Sequence, residues 1–208
     1  MQSLSQLYVT GKKDWSTRNE CVPTVRTEHA IATLLDAYRQ GINIPSLRDA
    51  YPGMVAEVKR LSLRSPDQCL EASGDFWALG QLAEELGMTE DAIRWTKRGK
   101  EIFDSIWPKA FQNINETYTK MRGNGLYQGT RWQYRWGAPM YLPRMIEMAG
   151  KKELGEQLQT FFHKELYNQG NEPDIHVPFL FGRLGMPQIT GNIVRSLATE
   201  SITHRYGG

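Results

Sequence analysis

Helical spacing of apolar residues constrains this 208-residue chain more than any other feature. In HAIATLLDAYRQG, Ile31, Leu34, Leu35 and Tyr38 recur three and four apart, and Gly41 suits the left-handed stop behind them. Between Gly74 and Gly87, the residues Phe76, Leu79, Ala83 and Leu86 form a second apolar face. Thr89 is read as an N-cap with Glu90 and Asp91 in a favourable first turn, and the helix it opens ends before Pro108. The pattern continues through MYLPRMIEMAG, where Pro143 permits only a helix start or a kink, and through ELGEQLQTFFHKEL, IHVPFLFGRLG and QITGNIVRSLATESI. No stretch alternates as a strand does. About eight helical segments, joined by short connections bearing Gly or Pro, predict an all-α domain of antiparallel helix pairs.

Charge excludes some partners. Lys plus Arg is 25 and Asp plus Glu is 23, so the net charge is +2, and the chain lacks the basic footprint of a protein that binds nucleic acid or an anionic membrane. No apolar run is long enough to span a bilayer. Cys21 and Cys69 make no disulfide framework, and His29, His163, His176 and His204 are too scattered for a zinc motif. The opening MQSLSQLYVTGKKDW lacks the apolar core of a signal peptide.

Chemistry concentrates in the loops between 122 and 131 and between 167 and 174. In GLYQGTRWQYRWGAP, the aromatics Tyr127, Trp132, Tyr134 and Trp136 are interleaved with Gln128, Arg131, Gln133 and Arg135. Such aromatics either fill a core around a loop or stack on sugar rings while polar neighbours meet the hydroxyls. In NQGNEPDIHVPF, Asn171, Glu172, Asp174 and His176 crowd a short loop, and Pro173 suits a first helical position. They either cap the helix that follows or form an oxygen-rich site for a hard cation such as calcium, or for sugar hydroxyls, with His176 donating to a hydroxyl. Glu28 and His29 stand at the start of the helix in TEHAIATLLDAY, where Glu28 is a first-turn dipole residue or projects from the helix end into a cavity. Glu71 and Asp75 lie four apart on one helical face, where like charges repel, so one of them needs a partner or a function.

Taken in order from about Arg26 to the last residue, these stretches resemble glycoside hydrolase family 92, the calcium-dependent exo-α-mannosidases. TEHAIATLLDAYRQGI is similar to the family's Asp-His-Ala helix, with Glu28 in place of the aspartate. LEASGDFWALGQLAEELGMTEDA resembles its Leu-Glu-x-Ala helix. YQGTRWQYRW and GNEPDIHVPFLFGRLGMPQIT resemble its two most specific motifs. The resemblance implies an (α/α)6 toroid, preceded in the family by a β-sandwich that this chain lacks, and a secreted or periplasmic location. It implies hydrolysis of terminal α-mannose with inversion. It assigns Asn171 and Glu172 to calcium, and Glu28, Trp132, Glu172 and His176 to the sugar.

The chain departs from the family's pattern twice. Inversion needs an acid and a base on opposite faces of the sugar. The family's base comes from a Gly-Asn-Asp-Asp motif that does not occur here, which predicts an incomplete toroid truncated before its base, inactive alone and with apolar helix faces left uncovered. Residues 1–25 are then an undefined lead-in and 26–208 a partial catalytic domain. The general acid is expected where Gln128 stands, and an amide supplies no proton at neutral pH. A phosphate leaving group needs no proton, so the exchange points to mannose linked through phosphate. A non-catalytic carbohydrate-binding relative and a helical interaction domain are the alternative readings.

Overall fold

The computed structural model describes residues 1–11, 27–114, 126, 127 and 129–199. Among these residues there are ten α-helices and no strand, as the helical spacing predicts. They are α1 (Gln2–Val9), α2 (Ala30–Arg39), α3 (Leu47–Val58), α4 (Pro66–Glu85), α5 (Thr89–Trp107), α6 (Arg131–Tyr134), α7 (Leu142–Ala149), α8 (Lys151–His163), α9 (Leu180–Arg183) and α10 (Pro187–Thr199). The chain divides into two compact units, Met1–Arg64 with Glu71–Phe103, and Ser65–Leu70 with Asp104–Gly208.

In the first unit, Ile31, Leu34 and Leu35 of α2 are buried as their spacing requires, and α2 stops at Gly41 with φ +79°. Phe76, Leu79, Leu82 and Ala83 give α4 a buried face. α4 and α5 approach closely at Gly80, where a Cβ would strike the Thr96 side chain. Phe76 stacks on Trp95 at 5.8 Å, and Trp95 donates to the Tyr51 hydroxyl at 3.1 Å, which in turn donates to Asp91 at 2.9 Å. α5 begins one residue earlier than its N-cap reading implies. The Met88 carbonyl accepts the first helical bond, from Ala92, so Met88 and not Thr89 stands at the cap.

Two helices of this unit escape a periodicity search. α3 carries Pro52 and Gly53 in its interior, where both residues disfavour helix. It persists because Leu47, Ala50, Tyr51, Met54 and Val58 are buried. α1 is only eight residues long and is held by α3. The Ser5 and Ser46 hydroxyls are 2.6 Å apart, and the Tyr8 hydroxyl donates to Glu57 at 2.6 Å. Thr27 donates to the other Glu57 oxygen at 2.7 Å, so one carboxylate of α3 fastens both α1 and the residue before Glu28.

In the second unit, α5 ends at Trp107 as Pro108 demands, and a single π-turn, Pro108–Gln112, follows it. Pro143 sits in the first turn of α7, where its missing N–H costs nothing. Arg144 of α7 reaches Asp104 at 2.9 Å. Leu154, Leu158 and Phe161 of α8 are buried, and Phe162 lies 5.6 Å from Phe181 of α9. α10 packs on α9, and Thr190 donates to the Pro178 carbonyl at 2.9 Å. The apolar stripe of α10, Ile189, Ile193, Val194 and Leu197, is only half-buried, and α10 has no fully buried residue.

The α1–α3 contact is testable at Gly53, where a Cβ would land on the Tyr8 carbonyl oxygen. Gly53→Ala is expected to lower stability by about 1–3 kcal/mol in urea unfolding, as overpacking does, despite alanine's better helix propensity. A neutral or stabilised variant would show that α1 does not rest on α3.

Candidate functional site

The second unit builds its candidate site from two turns. The first begins at Leu126 and Tyr127, where the Tyr127 N–H donates to the buried Asp67 carboxylate at 2.9 Å. Gln128 lies outside the described residues. Gly129 is buried and takes φ +97°, a conformation that excludes most side chains. Thr130 then caps α6 with a reciprocal capping box. Its hydroxyl accepts the Gln133 N–H at 3.3 Å, and its own N–H donates to the Gln133 side-chain oxygen at 2.7 Å. Periodicity misses α6 because it is one turn long, although Thr130 and Gln133 are three apart, as a capping box requires.

The second turn is Glu172–Asp174, a single 3-10 turn with Pro173 at its start. Asp174 is fully buried. Its Oδ2 accepts the Asn168 N–H at 2.9 Å and the Gln133 side-chain amide at 3.0 Å. Burial pushes the Asp174 carboxyl up to about 7, against the pull of these two donors. Glu172 is exposed, whereas Asn171 is buried, and its Oδ1 accepts no hydrogen bond among the described residues. A buried oxygen in that state suits a hard cation or a water.

His176 follows. Its Nε2 lies 2.7 Å from the Trp136 carbonyl, which can only accept, so Nε2 carries the proton and Nδ1 is left as an acceptor. Burial lowers its pKa, so the ring is neutral at pH 7. The expected donation to a hydroxyl is therefore unavailable from the neutral ring.

The interleaved aromatics divide between the two sequence readings. Tyr134 and Trp136 are fully buried and fill the core, Trp132 keeps 8% of its surface exposed, and Tyr127 is 56% exposed. Arg135, one of the polar residues interleaved with the aromatics, is buried at 1% exposure. Its guanidinium lies 5.9, 5.6 and 5.4 Å from the rings of Trp107, Trp132 and Trp136, and it donates to the Gln112 carbonyl at 2.5 Å. Burial lowers its pKa to about 10, still well above neutrality.

Glu28 belongs to the first unit, in the 3-10 turn Thr27–His29. Glu28, His29 and Asp75 bring ligating atoms within 4.8 Å of one another. Sequence reasoning left His29 isolated, and the repulsion of Glu71 and Asp75 was the only hint of a cationic partner. His29 Nδ1 meets the buried Asp75 Oδ1 at 2.8 Å. Burial pushes the imidazole down, but the hydrogen bond and charge of Asp75 outweigh it, and its pKa rises to about 9. At neutral pH His29 is protonated against Asp75, whose own carboxyl is pushed up by burial, and the shared proton lies where a metal would bind.

Comparison with known proteins follows this geometry. Residues 58–208 match the model of the glycosyl hydrolase family 92 catalytic domain. The solved structure of a family 92 glycosyl hydrolase, ccman5, is similar to 96% of the chain with a TM-score of 0.77 and 23% identity. That likeness establishes an (α/α)-type helical fold. The chain spans about a third of that protein, 32% of its length. No curated protein matches the chain.

Asp75→Asn is expected to drop the His29 pKa well below about 9, because the hydrogen bond and charge of Asp75 are lost and only the weaker pull of Glu71 and Glu28 still opposes burial. NMR titration of the His29 ring measures it. In the wild type, the folded pKa above the unfolded value means that His29 contributes stability in full below about pH 6.5 and loses it as pH rises through about 9. An unshifted His29 in the variant would dissolve the ion pair.

Proposed function

The chain belongs to glycosyl hydrolase family 92, and we propose that it is part of an inverting, calcium-dependent exo-α-mannosidase acting on terminal α-mannose of glycans. The observation that carries this reading is the buried Asn171 oxygen, unpartnered among the described residues, next in sequence to an exposed carboxylate on Glu172. An amide and a carboxylate oxygen are the donor set of a hard cation. In this reading Asn171 and Glu172 hold calcium. When bound, the ion supplies charge that orients the mannose hydroxyls and favours distortion of the ring.

The chain's own residues do the rest. Trp132 shapes the pocket from beside Arg135. His176, held by the Trp136 carbonyl, presents Nδ1 as an acceptor for a sugar hydroxyl. Glu28 takes the role of the family's sugar-binding aspartate, with one more methylene of reach. Gln128 occupies the general-acid position. There it donates a hydrogen bond to an anionic leaving group instead of a proton to an alkoxide, which favours mannose joined through its anomeric carbon to phosphate. A glutamate at that position would repel the anion.

The test compares an aryl α-mannoside, a mannobiose and a mannose-1-phosphodiester on the full-length protein, as wild type and as Gln128→Glu. Wild type is expected to cleave the phosphodiester and release β-mannose first, as inversion requires, seen by NMR. Gln128→Glu is expected to gain about 10²–10⁴-fold on mannobiose and to lose on the phosphodiester. If wild type leaves the phosphodiester intact, the phosphate reading fails. If neither form cleaves any substrate yet mannose with calcium raises the melting temperature, the protein is a non-catalytic sugar binder.

A further inference from the structure

Asn171 and Glu172 stand on one turn and Gly129 and Thr130 on another, and one buried carboxyl holds both. We propose that Asp174 is a positioning residue. Through Gln133 it fixes the Gly129–Thr130 turn next to the general-acid position, and through Asn168 and Asn171 it fixes the turn of the cation ligands. The functional part of this inference rests on the calcium reading above.

The hydrogen bonds leave little freedom. The Thr130 N–H takes the Gln133 Oε1, at 2.7 Å, so the Gln133 amide must point the other way. There it donates to Asp174 Oδ2 at 3.0 Å, in a pair whose two side chains are both buried. The same Oδ2 accepts the Asn168 N–H at 2.9 Å. Backbone bonds of 3.0 Å from Asp174 to the Asn171 carbonyl and from Asn171 to the Asn168 carbonyl complete the second turn. The two turns also touch at Gly129. A Cβ there would meet Gln133 Oε1 at 2.8 Å and the Asn171 amide nitrogen at 3.1 Å. Asn171 therefore turns its nitrogen toward the glycine, and its oxygen is left for another partner. Displacing Gln133 would free the Thr130 N–H and strip Asp174 of its side-chain donor.

The arrangement needs an acceptor at Oδ2 and not a charge, since Oδ1 of Asp174 has no hydrogen-bond partner among the described residues. Asparagine meets that need, with its oxygen in the Oδ2 place and its nitrogen in the other. Asp174→Asn should therefore behave as wild type, while Asp174→Ala and Gln133→Leu should not.

The experiment measures calcium affinity by calorimetry and exchange of the Thr130 amide by NMR, on the full-length protein. Asp174→Ala is expected to bind calcium about 10–100-fold more weakly, as loss of a group behind a metal ligand does, and to lose protection at Thr130. Gln133→Leu, which leaves Asp174 in place, should weaken calcium in the same range and serves if Asp174→Ala does not fold. Asp174→Asn should retain both properties. Unchanged calcium affinity in Asp174→Ala and Gln133→Leu overturns the proposal. So does an Asp174→Asn variant as weak as Asp174→Ala, because the carboxylate charge would then be what matters. If wild type binds no calcium, the cation reading falls, and Thr130 protection alone decides whether Asp174 holds the turn.

Discussion

A buried guanidinium sets the second unit. Taking a charge out of water costs several kcal/mol, and among the described residues Arg135 forms no salt bridge, with only the more distant charge of Glu153 acting on it. Three indole rings and one carbonyl stand in for a salt-bridge partner. Cation–π contact with a desolvated guanidinium is worth about 2 kcal/mol or more, which makes the cage a condition for burial. The cage also fixes the chain. Trp107 ends α5 and donates to the Arg135 carbonyl at 3.0 Å, Gln112 closes the π-turn, and Trp132 and Trp136 flank Arg135 in sequence. Moving α6 would expose the charge to a cavity or strip it of its rings.

That rigidity matters because the turn in front of α6 has little of its own. Gly129 is in the left-handed region, and α6 is only four residues long, too short to be stable on propensity. The capping box and the bond from Gln133 to Asp174 hold it from one side, and the Arg135 cage holds it from the other. The position of Gly129 and Thr130 is supplied by buried hydrogen bonds and not by a long element. The first unit uses the same device in another form. Glu57 fastens Thr27 and Tyr8, and Asp75 fastens His29, on either side of Glu28.

Much of this was legible residue by residue, and the failures share a cause. Ile31, Leu34 and Leu35 announce α2 because a buried helix face repeats every three to four residues. Pro108 and Pro143 announce the end of α5 and the start of α7 because proline has no N–H to give. α3 was hidden by Pro52 and Gly53, and α1 by its length, since both depend on each other's surface. The aromatic run read equally well as core or as sugar wall, because composition does not say which way a ring faces. The burial of Arg135 was not legible, because burial of arginine is rare and its cage draws on Trp107, distant in sequence.

The sequence by itself determined the helical class, the order of the motifs and the chemistry on offer: an amide at position 128, an Asn-Glu pair at 171 and 172, and a nearly balanced net charge of +2. These follow from local periodicity and from functional groups that each residue carries wherever it sits. Only the tertiary structure decided that Asp174 belongs to Gln133, His29 to Asp75 and His176 to the Trp136 carbonyl. Those pairs join residues about forty positions apart, and burial gives them their meaning. It raises the Asp174 carboxyl and keeps His176 neutral, and it is overridden at His29 only by the facing Asp75, because the cost of a charge depends on the water and the partners around it.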